Sequence, residues 1–329
     1  MIFPSEISAI ILLGTYNGER FLDNQIRSVQ NQTFQNWQMY IRDDGSVDRT
    51  TTILNKYKAI DDRIHIVIDN KGNLGTLGNY NELCIVANNE NADIVFFCDQ
   101  DDLWLPHKIE FLIEAIEAAE NKYGKNCPIL VHSDLVVVDS NLKLISNSFL
   151  SYKHIGNFPI APLNVLLAQN NISGCAIAFN RALLDFATPI PMSSLVHDWW
   201  FSLCAAACGQ IIFINKPTTL YRLHSNNTIG VKNQIVSAKS IHKQIQIPWY
   251  NGYMNFLRSI QQSEELLKRI RGRNRTVHPG TLTIIKAYGR CLKQGRLRRI
   301  QNIRKNNIRR QSIIYNILFY ILLLSIGKE

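Results

Sequence analysis

The sequence predicts an α/β fold, a mainly parallel mixed sheet flanked by helices, followed by a basic helical extension. Two observations carry this. Through the first half, short apolar runs alternate with stretches of helical length, the pattern of strands joined by crossover helices. From about Ser237 onward the pattern turns helical and rich in Lys and Arg. A length of 329 residues allows one large domain with an appendage, or two domains, and 46% hydrophobic against 19% charged residues is a globular balance.

The first element is the apolar run Ile7 to Leu13, which passes directly into Gly14-Thr15-Tyr16-Asn17 as a strand and its loop. A helix follows near Glu19 to Asn31, then a strand near Met39 to Arg42 and a helix near Asp48 to Tyr57. The order continues with a strand near Ile64 to Ile68, a helix near Leu77 to Ala87, the strand Ile94 to Phe97 and a helix from Pro106 to about Ala119. After this the reading is mixed: strands at Ile129 to Val138 and Leu142 to Ser146 joined by Asp139-Ser140-Asn141, and a strand near Cys175 to Phe179. A helix from about His197 to Cys208 and strands Ile211 to Ile214 and Thr219 to His224 complete it. The expected division is 1–236 for the α/β part, split at 105/106, and 237–329 for the extension.

The run Ile94-Val95-Phe96-Phe97 is followed at once by Cys98-Asp99-Gln100-Asp101-Asp102. Three carboxylates therefore stand at the carboxyl end of a buried strand, where open α/β sheets bind ligands. Three acids within four residues repel one another unless something positive sits among them. Oxygen donors clustered in this way suit a hard divalent cation, Mn2+ or Mg2+, shared with substrate phosphates. The plainer use, as solvated acids or caps of the following helix, accounts for one aspartate better than for three.

Charge is segregated along the chain. Residues 268–310 hold 15 Lys or Arg and no acid, whereas residues 1–267 hold 20 basic against 25 acidic residues. Ile285, Tyr288, Leu292, Ile300 and Ile303 recur among the cations at near-helical spacing, which predicts a cationic amphipathic helix. The apolar run Ile313 to Ile326 follows; as a helix it would span roughly 21 Å, short of a hydrocarbon core of roughly 30 Å. Together these features suit an anionic membrane surface, with a solvated appendage or a homodimer contact as the plainer roles. Nucleic acid is not expected, because no recognition module accompanies the charge. Glu6 stands where a secretion signal would be basic, and seven scattered cysteines suit reduced thiols, so the expected location is the cytoplasmic side. Cys204 and Cys208 lack a second zinc-spaced pair and read as core.

Two further loops reach the same sheet edge, Thr15-Tyr16-Asn17-Gly18-Glu19 and Arg42-Asp43-Asp44-Gly45-Ser46-Val47-Asp48. Their carboxylates can accept hydrogen bonds from a base or ribose, and amides near a helix start can face phosphate. The same residues are ordinary turn and cap choices, and either loop alone leaves the matter open.

Taken in order, TYNGERFLDNQIRSVQNQTF, IRDDGSVDRT, KGNLGTLGNYN, FFCDQDDLWLPHKI, SGCAIAFNRAL, HDWW and YRLHSNNTIG resemble the bacterial family 2 glycosyltransferases, in particular those similar to rhamnosyltransferases of surface polysaccharide assembly. The resemblance runs from about Ile7 to Gly230. It implies a GT-A fold with a nucleotide-binding half at 1–105 and an acceptor half at 106–236, a nucleotide-diphosphate sugar donor, a divalent metal and inversion at the anomeric carbon. Thr15, Tyr16, Asn17 and Glu19 match the family's first nucleotide-contacting loop, Asp43 and Asp44 the acids near base and ribose, and Asn73 and Gly75 a segment near the donor. Asp99 and Asp101 match the DxD motif, the first near ribose or metal and the second on the metal, while Asp102 is left as a brace or helix cap.

The resemblance also matches Asp198 to the catalytic base, which takes the acceptor proton in a single displacement. His197, Trp199 and Trp200 beside it are candidates for a sugar pocket, and Gly174 and Cys175 match an acceptor-side segment. His224 is a candidate metal or diphosphate contact, and Arg222 and Asn227 are candidate diphosphate contacts. The function implied is transfer of a sugar, L-rhamnose from dTDP-rhamnose before others, to a glycan or lipid-linked acceptor in O-antigen or capsule biosynthesis, peripheral at the cytoplasmic face of the inner membrane. Another donor, such as a UDP-hexose or UDP-N-acetylhexosamine, and a non-catalytic nucleotide-sugar binding protein are the alternatives.

Overall fold

Alternate residues of the first strand enter two different cores. Ile10 and Leu12 join a cluster with Tyr80, Phe97 and Trp200, whereas Ile11 and Leu13 join one with Ile26, Leu54 and Leu112. A sheet covered on both faces needs apolar residues at every position, which is why its strands read as unbroken apolar runs. The computed structural model describes residues 7–155, 162–224 and 241–327, with backbone alone for 241–251.

The strands are β1 (Ala9–Thr15), β2 (Trp37–Asp43), β3 (Ile64–Ile66), β4 (Ile94–Asp99), β5 (Leu103–Trp104), β6 (Ile129–Val138), β7 (Leu144–Ser146), β8 (Ile177–Asn180) and β9 (Gln210–Arg222). They form one nine-stranded sheet in the order β3-β2-β1-β4-β8-β6-β9-β5, with β7 paired to β6. The first four strands in this order run parallel; β8 is antiparallel to β4 and to β6, and β9 is parallel to β6. The sheet is therefore mixed, with its parallel half at the amino-terminal end, as the α/β pattern predicts.

The helices of this part are α1 (Leu22–Gln30), α2 (Thr50–Ile60), α3 (Gly75–Asn89), α4 (Lys108–Tyr123), α5 (Phe149–Tyr152), α6 (Pro162–Leu166), α7 (Arg181–Ala187) and α8 (His197–Cys208). α8 ends at Gly209, whose backbone lies so close to Pro128 that a Cβ would come within 1.8 Å of the Pro128 carbonyl oxygen. The two expected strands at 211–214 and 219–224 are one strand, β9. Asn215-Lys216-Pro217 reads as a turn, but the register against β6 shifts there and the strand passes through it as an irregularity.

Beyond it lie α9 (Ile241–Gly272), α10 (Pro279–Gly289), α11 (Arg296–Lys305) and α12 (Ile313–Ser325). The amphipathic stretch expected across 285–303 is not a single helix: α10 stops at Gly289, a short 3-10 turn covers Cys291–Lys293, and α11 starts after Gly295. Its apolar residues nevertheless turn inward, since Ile285, Tyr288, Leu292 and Ile303 are buried. One apolar cluster runs from Phe97 and Trp200 to Phe256, Tyr288 and Phe319, so these helices share a core with the α/β part. Among the described residues no helix is long and apolar enough to cross a membrane.

Candidate active site

The parallel register aligns Thr15 with Asp43 and Gly14 with Asp99, which brings the three loops predicted to act together to one edge. Thr15 Oγ1 donates to Asp43 Oδ1 at 2.9 Å, and Asp43 also accepts the Ser46 amide at 2.8 Å. The Asn17 amide donates to Ser46 Oγ and the Gly18 amide to Thr50 Oγ1, both at 2.8 Å, while Glu19 accepts from Arg49. Gln100 bonds both backbone groups of Tyr16, at 2.9 and 3.0 Å, and so ties the first loop to the acidic one. The Tyr16 ring is 50% exposed above these stitched loops.

Asp44, Asn73 and Gly75 also meet, but as framework. Asp44 is buried, pairs with Arg42 at 2.7 Å and accepts the Leu74 and Gly75 amides at 2.8 Å, so both its oxygens close the start of α3. Asn73 donates to the Asp44 carbonyl, and Gly75 holds a φ of +68° that favours glycine there.

At the end of β4 the acids have distinct surroundings. Asp99 accepts the Tyr80 hydroxyl at 2.9 Å; burial first, and repulsion from Asp101 second, push its carboxyl up to about 6. Asp101 Oδ2 lies 2.8 Å from His224 Nε2. Asp102 is buried and accepts the Arg222 amide at 3.0 Å through Oδ1, and its Oδ2 is left without a hydrogen-bond partner. Burial, then Asp101 and Asp99, hold the Asp102 carboxyl well above its ordinary range. Arg222 itself is turned inward: its guanidinium bonds the Asp101 and Ser140 carbonyls at 2.9 Å and covers the Phe21 ring at 4.5 Å. Asn227 lies outside the described residues.

Three clustered carboxylates, of which burial raises the proton affinity of Asp99 and Asp102, with an orphaned buried carboxylate oxygen and an imidazole within reach, form a donor set that fits a hard divalent cation. Asp99, Asp102 and Cys175 bring candidate ligand atoms within 4.8 Å of one another. The Cys175 thiol is held in its protonated form by burial and by the two aspartates, so the oxygens are the better ligands.

Asp198, in the first turn of α8, is buried within reach of the charge of Asp99. Its carboxylate accepts the Gly174 amide at 2.9 Å, Asn170 Nδ2 at 3.2 Å and the Trp199 amide at 2.6 Å. Burial, and then the charge of Asp99, push its carboxyl up to about 7 against these three donors. The two acids are joined through aromatic rings: Tyr80, whose hydroxyl meets Asp99, stacks on His197 at 3.7 Å. Burial pulls the His197 imidazole down to about 3, so it is neutral, and neither ring nitrogen has a hydrogen-bond partner. Trp199 and Trp200 are buried, with indole N–H groups bonded to the Leu166 and Ala187 carbonyls, so they are wall material behind the acid.

Several residues at this site escaped sequence reasoning. Lys108 is fully buried, donates to the Cys175 carbonyl and to Thr219 Oγ1, and lies 4.1 Å over the Trp104 ring. Its four-residue spacing from Leu112 on the inward face of α4 was the signal available. Asn170 was visible only as one member of the polar run Gln169-Asn170-Asn171 before Gly174. Tyr80 sat within a helix pattern and gave no signal of its own.

Residues 10–184 match the family described as Glycosyl transferase family 2. A dTDP-rhamnosyl transferase, RfbG of Shigella flexneri, is 25% identical over 261 residues, covering 72% of this chain and 80% of that protein. A UDP-Glc:alpha-D-GlcNAc-diphosphoundecaprenol beta-1,3-glucosyltransferase, WfgD of Escherichia coli, is 25% identical over 210 residues, covering 61% of this chain and 74% of that one. In fold, the chain is similar to residues 1–349 of S. aureus TarS, solved in complex with UDP, with a TM-score of 0.52 and 16% identity over 92% of this chain and 89% of that one. With more than half of its length matched, and with the acids of that match gathered at one edge of a GT-A-like sheet, the chain belongs to glycosyltransferase family 2.

Proposed function

We propose that the protein is a metal-dependent inverting glycosyltransferase that moves L-rhamnose from dTDP-rhamnose to a glycan or lipid-linked acceptor in surface polysaccharide biosynthesis, peripheral at the cytoplasmic face of the plasma membrane. The observation that carries the reading is the separation of two kinds of carboxylate: the half-buried acids Asp99 and Asp101 at the end of β4, and the buried Asp198 with a carboxyl pushed up to about 7. A base poised near neutrality suits deprotonation of a hydroxyl. In the step, the acceptor hydroxyl oxygen bonds to the anomeric carbon as the bond to the diphosphate oxygen breaks. The hydroxyl proton passes to Asp198, and the nucleoside diphosphate leaves with the electron pair. Asp101 and Asp99, with His224 beside them, would hold the cation, which when bound offsets charge on the leaving diphosphate. Tyr16, with its ring exposed above the first loop, is suited to stacking on the base. The rhamnose donor is favoured by the similarity to RfbG.

A second donor reading rests on the similarity to WfgD, whose name gives UDP-Glc as donor. Purified protein assayed with dTDP-rhamnose, UDP-glucose and UDP-N-acetylglucosamine in the presence of Mn2+ separates the two. Release of dTDP with the first donor and not the others is expected; preference for a UDP-sugar overturns the rhamnose assignment. Asp198→Asn should bind donor as wild type does and lose transfer by about a hundredfold or more. Wild-type turnover in that variant would remove Asp198 from its role, and no turnover with any donor would favour a non-catalytic binding protein.

A further inference from the structure

The outward face of α12 is apolar from Ile313 to Leu324. Ile313, Ile314, Ile317, Leu318, Ile321 and Leu324 are exposed, the first two at 80% and 69%, while Phe319, Leu322 and Leu323 face the core. The helix contains no charged residue, so its outward stripe has no solvating partner of its own. Beside it α11 exposes Arg296, Arg298, Arg304 and Lys305, and no acidic residue occurs from 268 to 327.

Two features hold this surface in place. Arg299 is completely buried and spends its guanidinium on carbonyls, reaching Leu323 on α12 at 2.7 Å, Ile326 at 3.1 Å and Gly327 at 3.0 Å just beyond its end, and Cys291 at 2.9 Å on its own side. It therefore closes the carboxyl end of α12, where the helix dipole favours a cation. At the other end, the Gln311 amide donates to Gln169 Oε1 at 3.0 Å, Asn171 donates to Gln311 Oε1 at 3.0 Å, and Arg310 donates to the Ala168 carbonyl at 3.2 Å. Asn170, within that same segment, is the residue that bonds Asp198. The most exposed end of the stripe thus begins two residues after Gln311, which is bonded to the 169–171 segment that also holds Asp198.

We propose that α12 docks in the plane of an anionic lipid bilayer, with the α11 cations on the headgroups and the Ile stripe among the acyl chains, so that the Asp198 side of the site faces the membrane. A helix of 13 residues is about 20 Å long and suits this in-plane position. A second copy of the chain fits less well: pairing two such stripes would bring two α11 cation sets together with no acid between them. The orientation rests on the transferase reading of Asp198; the docking does not.

The test is co-sedimentation of the full chain with phosphatidylcholine vesicles containing phosphatidylglycerol, and with phosphatidylcholine alone, in the absence of any sugar donor. Wild type should bind the anionic vesicles and be released by high salt. Ile317→Glu with Ile321→Glu, both solvent-exposed, should bind at least about tenfold more weakly. Arg304→Glu with Lys305→Glu should also weaken binding, and both variants should keep the wild-type thermal midpoint. Ile314→Trp should gain blue-shifted emission on adding anionic vesicles. Wild-type binding by the double glutamate variant overturns the proposal. So does a concentration-dependent dimer lost in that variant while vesicle binding persists, which would give the stripe to a second copy. Because no substrate is present, loss of binding and loss of transfer are read separately.

Discussion

The Gly174 amide donates to Asp198 Oδ2 at 2.9 Å, and it can do so because Gly174 has no side chain. A Cβ there would stand 3.1 Å from His197 Nε2 and 3.4 Å from Asp198 Oδ2. Gly174→Val, with two further carbons, should displace Asp198 from the position in which it is proposed to act as base. A misplacement of about an ångström costs on the order of a hundredfold in rate, so kcat should fall by that order while donor affinity holds. Equal losses in donor binding, measured by calorimetry with the nucleoside diphosphate, would instead mean that the whole edge had shifted.

The pH profile should carry an acid limb set by Asp198. Burial, and then Asp99, push this carboxyl up to about 7, and the base works only as the carboxylate. Transfer should therefore rise with pH and level off above about 7. Asn170 donates to the carboxylate and favours the charged form, so Asn170→Ala should move the limb to higher pH. A limb that stays in place or moves to lower pH, in kcat measured from pH 5 to 9, would contradict the assignment.

His224 and Asp101, 2.8 Å apart, should act as one unit toward the cation. After chelation with EDTA, activity should be lost and return on adding Mn2+. Asp101→Ala should abolish that return, and His224→Ala should raise the Mn2+ concentration for half-recovery by about 10- to 100-fold. If the His224 variant titrates as wild type does, the histidine serves the loop alone.

How much of this could be read from the chain differs by residue. The Asp99 cluster and the α8 site were legible because a short apolar strand and a Gly-terminated helix fix where their polar neighbours stand. The paired acids Asp43 and Asp44 looked alike in sequence, yet Asp43 closes the loop onto Thr15, and Asp44 is buried on Arg42 and the α3 amides. That difference comes from Arg42, a partner two residues away whose inward turn depends on Asp69 across the next loop, at 2.9 Å. The tail differed for the opposite reason: its fifteen cations read together as a charged surface, but Arg299 is completely buried, with six backbone carbonyls converging on it. A buried cation satisfied by carbonyls leaves no acidic counterpart for a sequence reading to find.

Lys108 offers the sharpest separation of support from chemistry. Its ammonium bonds the Cys175 carbonyl and Thr219 Oγ1 behind the acid cluster, and its charge favours the ionised form of Asp99. Lys108→Met keeps most of the volume but leaves the Cys175 carbonyl only the long 3.4 Å hydrogen bond from Thr219 Oγ1, which costs about 1 kcal/mol and should lower the thermal midpoint. The lost charge has a second consequence: the Asp99 carboxyl, already pushed up to about 6, moves further up, and protons compete better with the cation. At pH 6.5 the variant should need more Mn2+ than wild type, and the gap should narrow at pH 8.5, where the carboxyl is ionised in both. A purely structural role would leave the gap unchanged between the two pH values, so Mn2+ titrations at both decide the matter.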